Sequence, residues 1–136
     1  SLNAVLESYL RADLPNVEIV PPIPHSQVGE EVAAWTAGMM PYRWTESYRR
    51  GVPIKNLELM AAGKPGVARP NRALDPYDDL VYLATTPEEF CAQMERAIAE
   101  DSPELRAQRR ARAEAETWER RLDEIVAVAT RLAAPR

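Results

Sequence analysis

Lys55 and Glu58 stand three residues apart, just after Gly51-Val52-Pro53, in a segment that carries the signals of a helix opening. Gly51 lets the chain turn, and Pro53 suits a first helical position, where its missing N–H would have had no partner anyway. The free N–H groups of a first turn and the positive end of the helix dipole favour an anion, so the amides around Val52 to Ile54 form a candidate phosphate cradle. Lys55 adds a mobile full charge beside it. At i, i+3, Glu58 lies on nearly the same face and is placed to accept hydrogen bonds from hydroxyls of the same ligand. The chemistry this suits is binding of a phosphorylated, hydroxyl-bearing molecule. The same spacing also makes an ordinary surface ion pair, and both readings stay open here.

Other elements must hold those side chains in place. Gly63 is the expected helix stop, and Pro65 keeps the helix from resuming. Upstream, the apolar run Ala37 to Tyr42 reads as a strand that feeds an irregular, ligand-facing polar stretch, Arg43 to Arg50. Downstream, Gly66-Val67-Ala68 reads as a buried strand, Asn71 to Asp79 as a surface loop, and Leu80 to Ala84 as another strand. Val17 to Val20 alternates and is β-branched, which predicts a further short strand closed by Pro21, Pro22 and Pro24. Helical spacing of Leu2, Val5, Leu6, Tyr9 and Leu10 predicts a helix over residues 2–11. Ser26 reads as the cap of another, with Val32, Ala33 and Trp35 on its buried side.

Thr86-Pro87-Glu88-Glu89 is a helix start with cap, proline and first-turn acids, and Phe90, Met94, Ala97 and Ile98 line one side of the helix it opens. Ser102-Pro103-Glu104 repeats that start, and Thr117-Trp118-Glu119 opens a last helix bearing Leu122, Ile125, Val126, Ala129 and Leu132. Strands alternating with helices imply an α/β fold, a parallel sheet with helices on its faces. Ligands of such sheets sit beyond the carboxyl ends of the strands, where the 42–50 stretch and the start of the Lys55 helix both fall.

Composition narrows the partners. The 136 residues, 46% hydrophobic, suit one modest domain or a piece of a larger one and argue against disorder. A net charge of −4 with bases and acids interspersed provides no basic field for nucleic acid. The charged run Arg106 to Glu124 carries acids nearly as often as bases, so it reads as a solvated helix face. Cys91 is the one cysteine and His25 the one histidine, too few for an internal disulfide or a usual zinc site, and a reducing, cytoplasmic setting is expected. No apolar run long enough to span a bilayer and no signal peptide is visible. The chain opens at Ser1 already inside a helical pattern, as expected for a piece of a longer polypeptide.

The order of these signals resembles the carboxyl-terminal domain of group 1, GT-B type glycosyltransferases. Leu14-Pro15-Asn16-Val17 followed by Val20-Pro21-Pro22-Ile23-Pro24 is similar to that family's "LPNV, strand, GPVP" segment, and Pro41-Tyr42-Arg43 to its "LPF or LPY" strand end. Pro53-Ile54-Lys55-Asn56-Leu57-Glu58, continued by Ala61-Ala62-Gly63-Lys64-Pro65, resembles its donor-site helix, P-x-K-x-x-E-x-x-A-x-G-K-P-V-V. Thr117-Trp118 is similar to its "NTW" segment.

The resemblance implies a Rossmann-like domain over residues 1–115 that binds a nucleotide-diphosphate sugar as donor. It also implies a last helix over 116–136 that packs toward an amino-terminal acceptor domain not present in this chain. Glu58 would accept from the ribose hydroxyls, while Lys55 and the amides around Val52, Pro53 and Ile54 would neutralise the diphosphate. Tyr42 and Arg43 would stand at the donor site, Arg43 adding charge near the diphosphate or sugar. No metal and no cofactor besides the donor is implied, and no catalytic residue is carried over, because the acceptor domain supplies the general base in inverting members. Any peripheral membrane association would fall to the missing part.

Three departures qualify the match. Arg50 stands where many relatives carry an acid eight residues before the ribose-binding one, and Gly66 replaces a usual valine, which is expected to weaken its strand. No apolar strand lies between Leu10 and Leu14, so either the sequence is shortened there or the sheet is incomplete. The rivals are a noncatalytic α/β binding domain, in which Lys55 and Glu58 only pair, and a degenerate glycosyltransferase serving as a regulatory subunit.

Overall fold

Two glycines on neighbouring strands decide how closely the central helix can lie on its sheet. The computed structural model describes residues 14, 16–51 and 54–133. The helix expected over 2–11 lies outside them, as do Val52 and Pro53. Gly38 in strand β1 (Gly38–Met40) is the register partner of Gly66 in strand β2 (Gly66–Ala68). A Cβ on Gly38 would lie 2.4 Å from Leu59 Cδ2, and one on Gly66 would lie 3.2 Å from Leu59 Cδ1. The bare pair therefore forms a slot for Leu59, and Gly66, expected to weaken its strand, instead admits a close helix. That helix follows a short helix, α2 (Glu46–Arg50), and is α3 (Ile54–Ala61), the element that carries Lys55 and Glu58.

The sheet has three parallel strands in the order β1-β2-β3, with β3 at Val81–Leu83. Side chains alternate across it. Met40, Ala68 and Val81 meet Leu59 and Met60 of α3, together with Val32 of helix α1 (His25–Ala34), in the larger core cluster. On the other face Val67, Ala84, Phe90 and Ala97 form a second cluster beneath helix α4 (Pro87–Ala99). This is a small Rossmann-like α/β domain, as the sequence pattern predicted.

Several helix ends follow their local signals. Thr86 accepts from Glu89 N while the Glu89 carboxylate accepts from Thr86 N, a complete capping box. Ser102 caps helix α5 (Pro103–Glu114). Gly63 ends α3 at φ 75°, with Lys64 N donating to Leu59 O and Gly63 N to Met60 O, the paired bonds of a Schellman end.

Other expectations need correction. Val17 to Val20 belongs to no strand, because an alternating pattern makes sheet only where a partner edge receives it. Arg43 to Arg50 is not irregular throughout: Thr45 accepts from Tyr48 N and starts α2. Asn71 to Asp79 is not a plain surface loop but carries a 3-10 helix (Arg72–Tyr77) that buries Leu74 and Tyr77. Helix α1 begins at His25, with Pro24 rather than Ser26 at its cap position. Ala33, Trp35 and Ile98, expected inside, are exposed. The charged run is not wholly solvated either, since Arg109 is 1% exposed, bonded to Asp101 Oδ1 at 2.6 Å and to Gly63 O at 3.2 Å. Helix α6 (Trp118–Ala133) buries none of its residues.

Candidate functional site

At the first turn of α3, Lys55 Nζ lies 2.9 and 3.2 Å from the two carboxylate oxygens of Glu58. The lysine side chain is 59% exposed and that of Glu58 25%. A pair this exposed is worth about 0.5 kcal/mol, so it holds the side chains together only weakly against a phosphate or a ribose. Glu58 and Lys55 both border a hollow of about 690 Å³ beside β1, walled by Ile23, Trp35, Met39 and Tyr42. The indole N–H of Trp35 donates to Glu31, which also borders this hollow, at 3.1 Å.

A second hollow, about 560 Å³, opens on the other side of Lys55 and Tyr42, which border both. Arg43, Thr45, Ser47, Tyr48 and Ile54 line it. Of the residues singled out from the sequence, Tyr42, Arg43, Ile54 and Lys55 thus share one hollow, and Glu58 joins Tyr42 and Lys55 in the other. Tyr42 follows the carboxyl end of β1, the edge at which ligands of parallel sheets sit. The two hollows, both walled mainly by apolar surface, meet at Lys55, and the second adds the charge of Arg43.

A family model described as glycosyl transferase-like matches residues 5–127. The chain belongs to that glycosyl transferase-like family. Its domain is therefore of the group 1 glycosyltransferase type, as the Lys55 to Pro65 block suggested. Neither the curated proteins nor the solved structures contain a match.

In this glycosyl transferase-like domain the structure adds residues that the sequence reading passed over. Tyr48 packs between Tyr42 and Trp44, with ring centroids 5.2 and 6.2 Å away, and Arg49 lies over the Trp44 ring. Burial, reinforced by Tyr42, raises the Tyr48 pKa above the usual phenol value, so its hydroxyl stays a donor at neutral pH. It donates to Arg69 O at 2.6 Å. Arg69 and Asn71, just after β2, are the other omissions; two polar residues flanking Pro70 at the carboxyl end of a central strand were the signal available for them. Among the described residues, no group of three or more His, Cys, Asp or Glu side chains is gathered as metal ligands require, and no helix is long and apolar enough to cross a membrane.

Proposed function

We propose that this domain holds the donor, a nucleotide-diphosphate sugar, for glycosyl transfer. The observation that carries the reading is the junction of two hollows at Lys55, with Glu58 facing one and Arg43 the other. The nucleoside occupies the first hollow, where Glu58 accepts from the ribose hydroxyls. Lys55 and the amides at the start of α3 take the diphosphate, and Arg43, Thr45 and Ser47 face the distal phosphate and the sugar. In the reaction an acceptor oxygen bonds to the anomeric carbon as the bond to the diphosphate breaks. The electron pair leaves on the nucleoside diphosphate, whose charge Lys55 and the helix amides stabilise.

The acceptor's proton goes to a base on an acceptor domain, toward which the 116–136 helix packs, and closure of the two domains excludes water. No cofactor besides the donor is needed. Apolar side chains along α6, Trp118 at 86% exposure and Leu122, Ile125 and Leu132 with it, support such a partner domain. The exposed single thiol of Cys91 is consistent with a reducing, cytoplasmic setting.

A second reading, a noncatalytic or regulatory domain that keeps the fold, is favoured by the Lys55–Glu58 pairing. Calorimetric titration with UDP and GDP separates the two. Binding of either that Glu58→Ala weakens by about 1 to 3 kcal/mol, with little change in stability, supports the donor site. No binding of either at millimolar concentration, with an unchanged melting temperature, overturns it.

A further inference from the structure

We infer that Asn71 is a positioning residue that sets the loop carrying Tyr42 and Arg43 against the start of the Lys55 helix. Its side chain is 6% exposed. The amide nitrogen donates to Tyr48 O and to Gly51 O, the latter at 3.2 Å, and the amide oxygen accepts from Ala73 N at 2.8 Å. Two carbonyls on one side and one N–H on the other fix which way the amide points. Both carbonyls belong to the last turn and cap of α2, where Tyr48 O also accepts a longer bond from Gly51 N at 3.3 Å.

Asn71 does not act alone. Tyr48 OH donates to Arg69 O, and the Arg69 guanidinium donates to Tyr42 O at 3.5 Å and to Thr85 O at 3.2 Å. The segment 69–71 therefore fastens the site loop at its first residue, Tyr42, and at its last, Gly51. Since this segment continues directly from β2, the loop takes its place from the central strand. Arg43 lies inside the fastened span and α3 begins just beyond it. The distance between Arg43 and Lys55, the two cations of the second hollow, is thus set from Asn71, which touches neither.

The consequence for ligands rests on the donor reading, whereas the fastening itself does not. Asn71→Asp separates the two jobs of the side chain, because a carboxylate still accepts from Ala73 N but donates to neither carbonyl. Asn71→Ser adds no charge and keeps an oxygen for Ala73 N, but its shorter side chain has one donor and cannot bond both carbonyls. In the unliganded chain, hydrogen exchange should become about tenfold faster in both variants at the Tyr48, Arg49 and Gly51 amides, which are hydrogen-bonded within the fastened segment, as expected for loss of two ordinary hydrogen bonds. Exchange in β2 and α4 should stay as in the parent.

With inorganic pyrophosphate and UDP as probes, affinity should fall about tenfold for both, and the melting temperature should change little. Parent-like exchange at those amides in both variants overturns the inference and leaves Asn71 a cap of the 3-10 helix. Uniform acceleration across the chain, or failure of both variants to fold, also overturns it by assigning Asn71 to general stability. A parent chain that binds neither probe sinks the donor reading instead, and the exchange arm still judges Asn71.

Discussion

At the scale of single residues, Lys55 and Glu58 pair with each other, so an anion at Lys55 competes with the Glu58 carboxylate. Glu58→Gln should therefore have effects of opposite sign. Pyrophosphate affinity should rise up to about threefold as Lys55 is released from a pair worth about 0.5 kcal/mol. UDP affinity should fall, because a neutral amide is a weaker partner for ribose hydroxyls. Titration calorimetry reads both, and parallel losses for the two ligands would remove Lys55 from the anion site. Asp101 makes the second residue-scale prediction. Burial works against its charge, yet hydrogen bonds from Arg109 and Arg106 outweigh that and hold its carboxyl below the usual value. A folded pKa below the unfolded one adds stability that is present above the unfolded value and lost as pH falls through the folded value. Urea midpoints measured downward from neutral pH should show an acid loss below about pH 4 that Asp101→Asn flattens. At neutral pH that variant should already be about 3 kcal/mol less stable, since it leaves Arg109 buried without its counter-charge.

At the scale of elements, the slot between Gly38 and Gly66 fixes how α3 lies on β1 and β2. Gly38→Ala should cost about 1 to 3 kcal/mol by overpacking against Leu59, and Leu59→Ala about 2 to 5 kcal/mol by leaving a void. Combined, they should cost less than the sum, because the new methyl enters the vacated slot, and a denaturation cycle measures the difference. Additive costs would mean that the helix simply lifts off. The starts of α4 and α5 were legible in the sequence because each cap and its partner lie three residues apart. Asn71 was not, because its carbonyl partners lie 23 and 20 residues upstream, and neither was the burial of Arg109, which depends on a carbonyl 46 residues away. Gly66 was read as a weakness because the meaning of its pairing with Gly38 comes from a side chain on a third element.

At the scale of the whole molecule, the sheet and both its faces were legible from the alternation of strand and helix, while Val17 to Val20 was misread because strand membership belongs to a pair of segments. Helix α6 stands outside both cores, since none of its residues is buried. Leu122→Glu and Ile125→Glu should accordingly leave the denaturation midpoint of this chain within about 0.5 kcal/mol. A larger loss would show that the stripe is covered within the chain itself. The fastening of the site loop has one more consequence, in the order of biosynthesis. A polypeptide emerges from its amino end, so the stretch bearing Tyr42, Arg43 and Tyr48 leaves the ribosome about 20 residues ahead of the segment that fastens it. During that interval the nascent chain carries every loop residue of the site and none of its geometry. The hollow beside Arg43 and Lys55 takes its final form only after Arg69 and Asn71 have emerged.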